Sequence, residues 1–397
     1  MRDAWLAPFG RRVLARVEAG LANGAIEATL PDRTTCRLGG RSPGAEPVVI
    51  LHRWRALWRL ASGGSAGWYE AWADGDWSSP DPVPLFELFV ANRLTLGATA
   101  RASGAGRLSR RVWHWLRRNH RRGARRNIAA HYDLGNDFYR EWLDSGLTYS
   151  SALFASADVT LEDGQAAKLA AILDRTGLVA GDRLLEIGCG WGSLAAAAVA
   201  RGIAVDAITL SAEQKAVVEA RLGDAVTVSL TDYRDVTERY DAVASVEMVE
   251  AVGERFWGDY LAAVAGALKP GGRAAIQYIA IDDAVFPAYA RSADFIQRYV
   301  FPGGMLLSER RFRALATAHG LAWCDRRGFG LDYARTLAEW RRRFDCAVAE
   351  GRLPERFDAG FVALWRYYLM YCEGGFRGGG IDVAQVTLVK AGLPDAA

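Results

Sequence analysis

A glycine-rich loop that directly follows an apolar strand constrains the fold of this chain more than any other feature. Residues 185–192 read Leu-Glu-Ile-Gly-Cys-Gly-Trp-Gly; they overlap the end of a predicted strand at Arg183–Ile187 and lead into a predicted helix at Gly192–Arg201. Glycine tolerates positive φ and lets the backbone approach a ligand at the helix N-terminus behind it. The segment therefore predicts a nucleotide-binding turn.

Strands and helices alternate on both sides of this loop, which is typical of a parallel α/β sheet. Ser211 is the predicted N-cap of the helix after the second strand. A Lys-Pro-Gly-Gly turn at residues 269–272 precedes the fifth strand, and a long excursion at 282–318 follows it. The remaining predicted strands are Ala204–Leu210, Val226–Leu230, Tyr240–Glu247, Ala274–Ile281 and Val383–Val389, and the helices are Leu161–Thr176, 254–268, 334–350 and 356–372.

The first 95 residues predict a separate small α+β domain. Apolar residues recur at helical spacing from Leu6 to Leu21. Short apolar runs follow at Ala25–Leu30, Val48–Leu51 and Trp68–Ala73, separated by glycine-rich turns at 39–44 and 62–67. We therefore divide the chain into an accessory or lipid-binding domain (1–95), a basic connector (96–126) and a catalytic domain (127–397).

Arginine is concentrated in the first third of the chain. Residues 1–130 hold 21 Arg and no Lys against 10 Asp plus Glu, a balance of 21 − 10 = +11, whereas the whole chain carries +3. Trp113 and Trp115 lie among the ten arginines of residues 101–130. Arginine binds phosphate, and tryptophan favours the head-group region of a membrane. We expect an anionic phospholipid surface as the partner and no nucleic acid; a solubilising arginine-rich face is the alternative.

Several other features bound the class of protein. No apolar run reaches the length of roughly 18 residues that spans a bilayer, and no signal-peptide pattern precedes the first helix. The five cysteines lack CxxC spacing, and the five histidines give no metal-ligand pattern, so we expect no metal. These observations favour a cytoplasmic protein that associates peripherally with the inner face of the cell membrane, with a homodimer as one assembly to consider.

The residues around the loop discriminate between nucleotides. A phosphate-binding P-loop would need Gly-Lys-Ser/Thr, and the dinucleotide fingerprint would need glycine where Ser193 stands. The second strand ends in Thr209-Leu210, without the acid that holds a ribose in NAD sites. Glu186 lies two residues before the first glycine of the loop. This combination favours S-adenosylmethionine.

Several further motifs occur in order along the chain. Besides the loop, they are Asn127–Asn136 (NIAAHYDLGN), Leu147–Phe154 (LTYSSALF), Thr209–Gln214 (TLSAEQ), Asp232–Asp235 (DYRD), Glu250 within VEMVEAVG, Phe295–Gly304 (FIQRYVFPGG), Asp332-Tyr333 and Gly374–Arg377 (GGFR). With these motifs the chain, over roughly residues 120–392, resembles the cyclopropane-fatty-acyl-phospholipid synthase and mycolic acid cyclopropane synthase family. The resemblance implies an α/β fold with a Rossmann-like class I methyltransferase sheet and helical lid insertions, beside the small N-terminal α+β domain.

The resemblance also implies the residues that bind S-adenosylmethionine. Asp232 follows the third strand, where a carboxylate can accept a hydrogen bond from the adenine amino group. Its alternative role is that of an ordinary turn aspartate. The implied cofactor-binding residues are Tyr149, Ser150, Gly188, Gly190, Thr209, Leu210, Gln214 and Asp232.

Members of this family are similar in reaction: the double bond of an acyl chain attacks a sulfonium methyl group, and the resulting cation loses a proton. Such a site needs a dry tunnel, aromatic faces and a proton acceptor rather than a strong nucleophile. The resemblance implies bicarbonate as that acceptor, held by Glu250, Tyr333 and the backbone of Ile279. Ser151 and Gln277 stand where the family has a cysteine and a histidine, and both can still donate hydrogen bonds to an anion.

The chain is therefore predicted to transfer a methyl or methylene group from S-adenosylmethionine to the double bond of an unsaturated acyl chain of a membrane phospholipid. Loss of a proton from the new methyl group closes a cyclopropane, whereas loss from a neighbouring chain carbon leaves a methyl-branched alkene. The changes at Ser151 and Gln277 make the branched product a hypothesis to test against ring closure.

Two alternatives stay open at this point. A methyltransferase acting on RNA or another small molecule fits the arginine-rich connector, but it would need a catalytic cysteine or an Asn-Pro-Pro-Tyr-type motif after the fourth strand, where the chain has Ser-Val-Glu-Met-Val-Glu. A catalytically altered lipid-binding homologue would bind S-adenosylmethionine without turnover.

Overall fold

The computed structural model describes residues 3–97 and 134–392. Most of the arginine-rich connector, with Trp113 and Trp115, and residues 127–133 of the first family motif lie outside the described residues. In chain order the helices are α1 Ala7–Gly20, α2 Arg55–Ala73, α3 Val83–Ala91, α4 Asn136–Arg140, α5 Leu161–Thr176, α6 Ser193–Val199, α7 Ala212–Leu222, α8 Trp257–Ala267, α9 Phe286–Tyr289, α10 Phe295–Tyr299, α11 Glu309–Ala318, α12 Gly330–Ala349 and α13 Ala359–Arg377. The strands are β1 Ala25–Thr29, β2 Thr35–Gly39, β3 Val48–Leu51, β4 Trp77–Ser78, β5 Arg183–Ile187, β6 Ala204–Ile208, β7 Val226–Ser229, β8 Tyr240–Val246, β9 Leu268–Ile281, β10 Leu321–Gly328 and β11 Ile381–Lys390.

Contacts divide the chain into two compact units. The first consists of Met1–Arg117, Asp282–Pro302 and Trp340–Ile381, and the second of Arg118–Ile281, Gly303–Glu339 and Asp382–Ala397. This division is not the linear one expected from composition, because α10 and α13 pack with the N-terminal helices through their aromatic side chains. The boundaries at residues 95 and 127 remain a prediction.

The second unit is built on a sheet whose described strands run in the order β10-β11-β9-β8-β5-β6-β7. Strand β5 pairs in parallel with β6 and β8, and β10 pairs antiparallel with β11. Leu184, Leu185 and Ala244 on the central strands are completely buried, as continuous apolar runs in a parallel sheet require. The sheet confirms the predicted Rossmann-like α/β class.

The helix boundaries of this unit follow from capping residues. Thr160 accepts a hydrogen bond from the amide of Asp163 and begins α5, which ends at Gly177 in a left-handed conformation. Ser211 accepts from the amide of Gln214 and begins α7, as predicted. One boundary was wrong: the fifth strand begins at Leu268 rather than Ala274, because the Lys-Pro-Gly-Gly segment stays in the strand, with a register shift against β8.

The first unit contains a small sheet of order β2-β1-β3-β4 together with α1, α2 and α3. The predicted helix at Leu6–Leu21 and the strands at Ala25 and Val48 are present. The run Trp68–Ala73 is not a strand: it lies in the second part of α2, where Trp68, Tyr69 and Ala71 are buried. The glycine-rich segment 62–67 does interrupt the helix, because Gly64 has a φ of 59° and a ψ of −145°, so α2 consists of two helical segments joined at a kink.

An aromatic cluster holds the excursion after β9 to this first unit. Tyr69 on α2 packs against Phe295, Tyr299 and Tyr367, with ring centroids 4.9, 4.9 and 5.0 Å away. Tyr299 also donates a hydrogen bond to Glu70 at 2.7 Å. These aromatic residues are therefore core of the first unit. Within residues 3–97 and 134–392, no helix combines the length and apolar character needed to cross a bilayer.

Candidate active site

The glycine loop leaves β5 at the carboxyl edge of the sheet and is fixed to the neighbouring strand. The amides of Gly188 and Cys189 donate to the carbonyl of Ile208 at 2.9 and 3.2 Å. Gly188 has a φ of 81°, and a Cβ there would lie 2.7 Å from Cγ of Met248. Gly190 has a φ of 53°, and a Cβ there would meet nothing within 4 Å. Met248 thus fills the space next to Gly188, whereas the space next to Gly190 is open to a ligand, as a ligand-binding turn requires.

Buried polar side chains lie at the end of β6, next to this loop. The Thr209 hydroxyl donates to Oε1 of Gln214 at 2.8 Å and accepts from the amide of Ser211 at 3.1 Å. Leu210 between them is half-buried. The structure therefore brings together Thr209, Leu210 and Gln214, three of the predicted cofactor residues.

Asp232 lies just beyond β7 and is 4% exposed. Its carboxylate accepts two hydrogen bonds from the Arg234 guanidinium, at 2.7 and 2.6 Å, and one from the Arg234 amide at 3.1 Å. Arg234 also lies over the rings of Tyr233 and Phe256. The predicted adenine acceptor is thus held by a bidentate ion pair, which fixes its carboxylate at the end of the third strand.

Tyr149 and Ser150 are held by two different sets of contacts. The Tyr149 ring packs against Tyr139 and Trp142, with both centroids 5.5 Å away. The Ser150 hydroxyl accepts a hydrogen bond from Nζ of Lys168 at 2.7 Å. Lys168 on α5 is completely buried, and burial lowers the pKa of its ammonium group to about 8.

Glu186 on β5 is a second buried ionisable group near the loop. It is 3% exposed, and burial raises the pKa of its carboxyl to about 8, although the charge of Lys168 acts in the opposite direction. From the sequence, Glu186 was singled out only because it lies two residues before the first glycine of the loop, and Lys168 was not predicted as a site residue. Lysine is rare in this chain, with four residues, and that rarity could have pointed to Lys168.

Glu247, directly after β8, lies at the centre of the predicted catalytic residues. Its Oε1 accepts from the Ser151 amide at 3.0 Å and from Nε2 of Gln277 at 2.7 Å, and its Oε2 accepts from the Tyr333 hydroxyl at 2.6 Å. Burial raises the pKa of Glu247, and these three donors and the charge of Lys168 oppose that rise. Sequence reasoning named all three donors but missed the carboxylate that they bind.

Glu250 is the partner of Glu247 in a pair of half-buried carboxyl groups. Its Oε1 accepts a hydrogen bond from the amide of Ile279, and among the described residues its Oε2 has no hydrogen-bond partner. Burial and the neighbouring Glu247 raise the pKa of Glu250 to about 8. Because Glu247 accepts hydrogen bonds from three donors and Glu250 from the Ile279 amide, Glu247 is the more acidic carboxyl of the two.

Hydrogen bonds through two glutamine side chains connect Glu247 with Arg175 on α5. Oε1 of Gln277 accepts from Nε2 of Gln385 at 3.0 Å, and Oε1 of Gln385 accepts from Nε of Arg175 at 3.1 Å. Gln277 and Gln385 are completely buried. Gln385 on β11 was not predicted as a site residue.

The loop that carries Ser151 is anchored to the start of α12. The amide of Ala152 donates to the Thr336 hydroxyl at 3.1 Å, and the amide of Phe154 donates to Oδ2 of Asp332 at 3.1 Å. The Ser151 hydroxyl itself donates to the carbonyl of Ala152 at 2.9 Å. Ser151 therefore faces Glu247 with its backbone amide rather than with its side chain.

Comparison with known proteins agrees with this architecture. The family model described as mycolic acid cyclopropane synthetase matches residues 119–386. The tuberculostearic acid methyltransferase UfaA1 of Mycobacterium tuberculosis is 37% identical over 99% of this chain and 96% of its own length. The cyclopropane-fatty-acyl-phospholipid synthase of Escherichia coli K12 is 37% identical over 66% of each chain. The crystal structure of mycolic acid cyclopropane synthase CmaA1 complexed with SAH and CTAB is similar over 67% of this chain and 98% of its own, with 29% identity and a TM-score of 0.62.

The parallel sheet, the glycine loop and the polar residues at the next strand end define an S-adenosylmethionine-dependent methyltransferase. The open turn at Gly190 and the buried pair Thr209–Gln214 fit that donor. Within this class the chain belongs to the mycolic acid cyclopropane synthetase family. The Mycobacterium tuberculosis and Escherichia coli relatives described above are both named as lipid-modifying enzymes. The family favours a lipid-modifying methyltransferase over one acting on RNA and an enzyme over an inactive lipid-binding homologue.

Proposed function

We propose that this enzyme methylates the double bond of an unsaturated acyl chain carried by a membrane phospholipid, and that its product is a methyl-branched, unsaturated chain rather than a cyclopropane. The observation that carries the proposal is the half-buried carboxyl pair Glu247 and Glu250, with the donors Ser151, Gln277 and Tyr333 on Glu247.

The pair suits an alkylation in which the substrate provides the electrons. The bound donor supplies an electrophilic methyl group, and the acyl double bond attacks it, so the protein needs no strong nucleophile. What the chain must supply is a dry site and a group that takes up one proton. Glu247 and Glu250 are half-buried carboxyls with different proton affinities, so this pair can supply the proton acceptor.

The comparisons support the branched product over the ring. The relative that spans 99% of this chain is named a methyltransferase of tuberculostearic acid, whereas the Escherichia coli relative named a cyclopropane synthase spans 66% of it. Ser151 and Gln277, which replace the cysteine and the histidine expected from the resemblance, lie in the same hydrogen-bonded group.

A membrane surface as the place of reaction is supported by the first unit. Trp5, Phe9 and Trp58 on neighbouring helical segments are 77%, 38% and 48% exposed. Exposed aromatic side chains near arginines favour the head-group region of a bilayer. We therefore place the enzyme at the cytoplasmic face of the cell membrane, bound peripherally to anionic phospholipid.

A labelled donor distinguishes the two products. The purified enzyme is incubated with S-adenosylmethionine deuterated in the methyl group and with vesicles of monounsaturated phosphatidylglycerol; saturated phosphatidylglycerol is the matched control. A methyl-branched chain retains all three deuterons and still takes up hydrogen over a catalyst, whereas a cyclopropane retains two deuterons. Retention of only two deuterons would overturn the branched product, and no label in any unsaturated lipid would overturn the proposed substrate.

A further inference from the structure

The carboxylate of Glu247 occupies the group of donors that the family resemblance assigns to a bicarbonate ion. The Ser151 amide, Nε2 of Gln277 and the Tyr333 hydroxyl all donate to it. A bicarbonate ion would need these same hydrogen atoms, and its negative charge would face the charge of Glu247. The residues present therefore do not fit bicarbonate.

We propose that Glu247 is the built-in anion of this site and accepts the proton released in the reaction, so that the enzyme works without bicarbonate. The inference rests on the proposed acyl methylation. In the step assigned to Glu247, a C–H bond next to the cationic carbon of the methylated chain breaks. Its electron pair forms the new C=C bond, and the proton moves to a carboxylate oxygen of Glu247. The proton leaves to water before the next turnover.

The hydrogen-bond geometry leaves room for that proton. A carboxylate has about four lone-pair positions. Two are used at Oε1 and one at Oε2, where the Tyr333 hydroxyl is the sole donor among residues 3–97 and 134–392. The remaining position at Oε2 is the acceptor site. Lys168 provides the positive charge that favours the ionised form of Glu247, and the charge of Glu247 in turn raises the pKa of Glu250.

The direction of the amide chain behind Glu247 is fixed by its far end. Arginine can only donate, so Nε of Arg175 requires Oε1 of Gln385 as its acceptor. Nε2 of Gln385 then donates to Oε1 of Gln277, which turns the Gln277 NH₂ group toward Glu247. Arg175 and Gln385 are thus positioning residues that keep a donor facing the anion.

The backbone conformation of residue 247 is a second, independent observation that indicates a functional role for the Glu247 side chain. Glu247 has a φ of 50°, in the left-handed region that favours glycine. Residues held in this region cluster at functional sites. A glutamate here gains no backbone advantage, so its carboxylate is the reason for its presence.

The same backbone provides a sharp test, because Glu247→Gly removes the carboxylate and relieves the strained conformation. Wild type, Glu247→Gly and the isosteric Glu247→Gln are assayed with vesicles of monounsaturated phosphatidylglycerol in carbonate-free buffer, with and without added bicarbonate. All three are checked for S-adenosylhomocysteine binding by calorimetry. We expect equal wild-type rates in both buffers and a loss of about 10²–10⁴-fold in both variants, the usual effect of removing a general base. Bicarbonate should restore Glu247→Gly, where an anion-sized space is open, but not Glu247→Gln, where the amide fills it.

Three results would overturn this assignment. They are a wild-type rate that depends on bicarbonate, a Glu247→Gly variant as active as wild type in carbonate-free buffer, and a Glu247→Gly variant that binds S-adenosylhomocysteine but does not recover with bicarbonate. A wild-type enzyme that labels no unsaturated lipid under either condition would instead refute the proposed function on which the inference rests.

Discussion

Removal of the Tyr333 hydroxyl tests the electrostatics of the site most directly. Tyr333→Phe keeps the ring, which is 7% exposed, and deletes the hydrogen bond of 2.6 Å to Oε2 of Glu247. A hydrogen bond to a charged group contributes about 1.5–3 kcal/mol. At about 1.4 kcal/mol per pKa unit, its loss should raise the pKa of Glu247 by about 1–2 units.

The sign of the kinetic effect follows from the role of Glu247. The donor stabilises the ionised carboxylate, so its removal favours the protonated form, which cannot accept a proton. The acidic limb of the plot of kcat against pH should therefore move to higher pH by about 1–2 units. Ser151, Gln277 and Lys168 also lower the pKa of Glu247, but none of them is changed by the substitution.

The assay is kcat measured against pH with saturating S-adenosylmethionine and phospholipid vesicles, with KM for the donor recorded at each pH. Tyr278→Phe is the matched control, because that buried hydroxyl donates at 2.8 Å to Glu309, which the site does not use. The control should leave the acidic limb unchanged. A Tyr333→Phe enzyme that loses activity equally at every pH, with the limb in place, would contradict the assignment of the ionised carboxylate to Glu247.

Three other substitutions test the loop, the buried acid and the first unit. Gly190→Ala should weaken binding of S-adenosylhomocysteine measured by calorimetry, because the new Cβ projects into the open side of the turn, and its left-handed φ should lower the free energy of unfolding by about 1–2 kcal/mol. Because burial raises the pKa of Glu186 to about 8, its stabilising contribution is present below about pH 4.5 and is lost as the pH rises to 8. The urea unfolding free energy of wild type should therefore fall by up to about 1.4 kcal/mol per pH unit over that range, and Glu186→Gln should flatten the dependence. Gly374→Ala should lower the free energy of unfolding in urea by about 1–3 kcal/mol, because its Cβ would lie 2.5 Å from Cβ of Phe86 on α3; an unchanged midpoint would contradict that packing.

Local patterns predicted the sheet well because each strand and cap carries its own signal. The apolar strand Arg183–Ile187, the cap at Ser211 and the helix Leu161–Thr176 are all present where the sequence indicated. The run Trp68–Ala73 was misread as a strand because a short apolar run after a glycine-rich break fits either a strand or a helix. The break itself is present: Gly64 has non-helical φ and ψ, and the run belongs to the helical segment of α2 that follows it.

The hydrogen-bond donors of the candidate site were predicted from the sequence, but the carboxylate that accepts their hydrogen bonds was not. Ser151, Gln277 and Tyr333 lie on three separate segments, and the family resemblance implied each of them as a site residue. Glu247 could not be assigned from the sequence, because two glutamates occur in the same short segment and only the fold shows which one the donors bind. Gln385 was missed for a similar reason: its role depends on the pairing of distant strands, which no local pattern encodes.

The left-handed backbone at residue 247 also has a genetic consequence. Every glutamate codon becomes a glycine codon by one change at its second base, and glycine is the residue that this backbone conformation favours. One nucleotide thus separates a site with its own tethered carboxylate from a site with room for a dissolved anion. A lineage could pass between the two in a single step, and on the proposed mechanism its dependence on ambient carbon dioxide would change with that step.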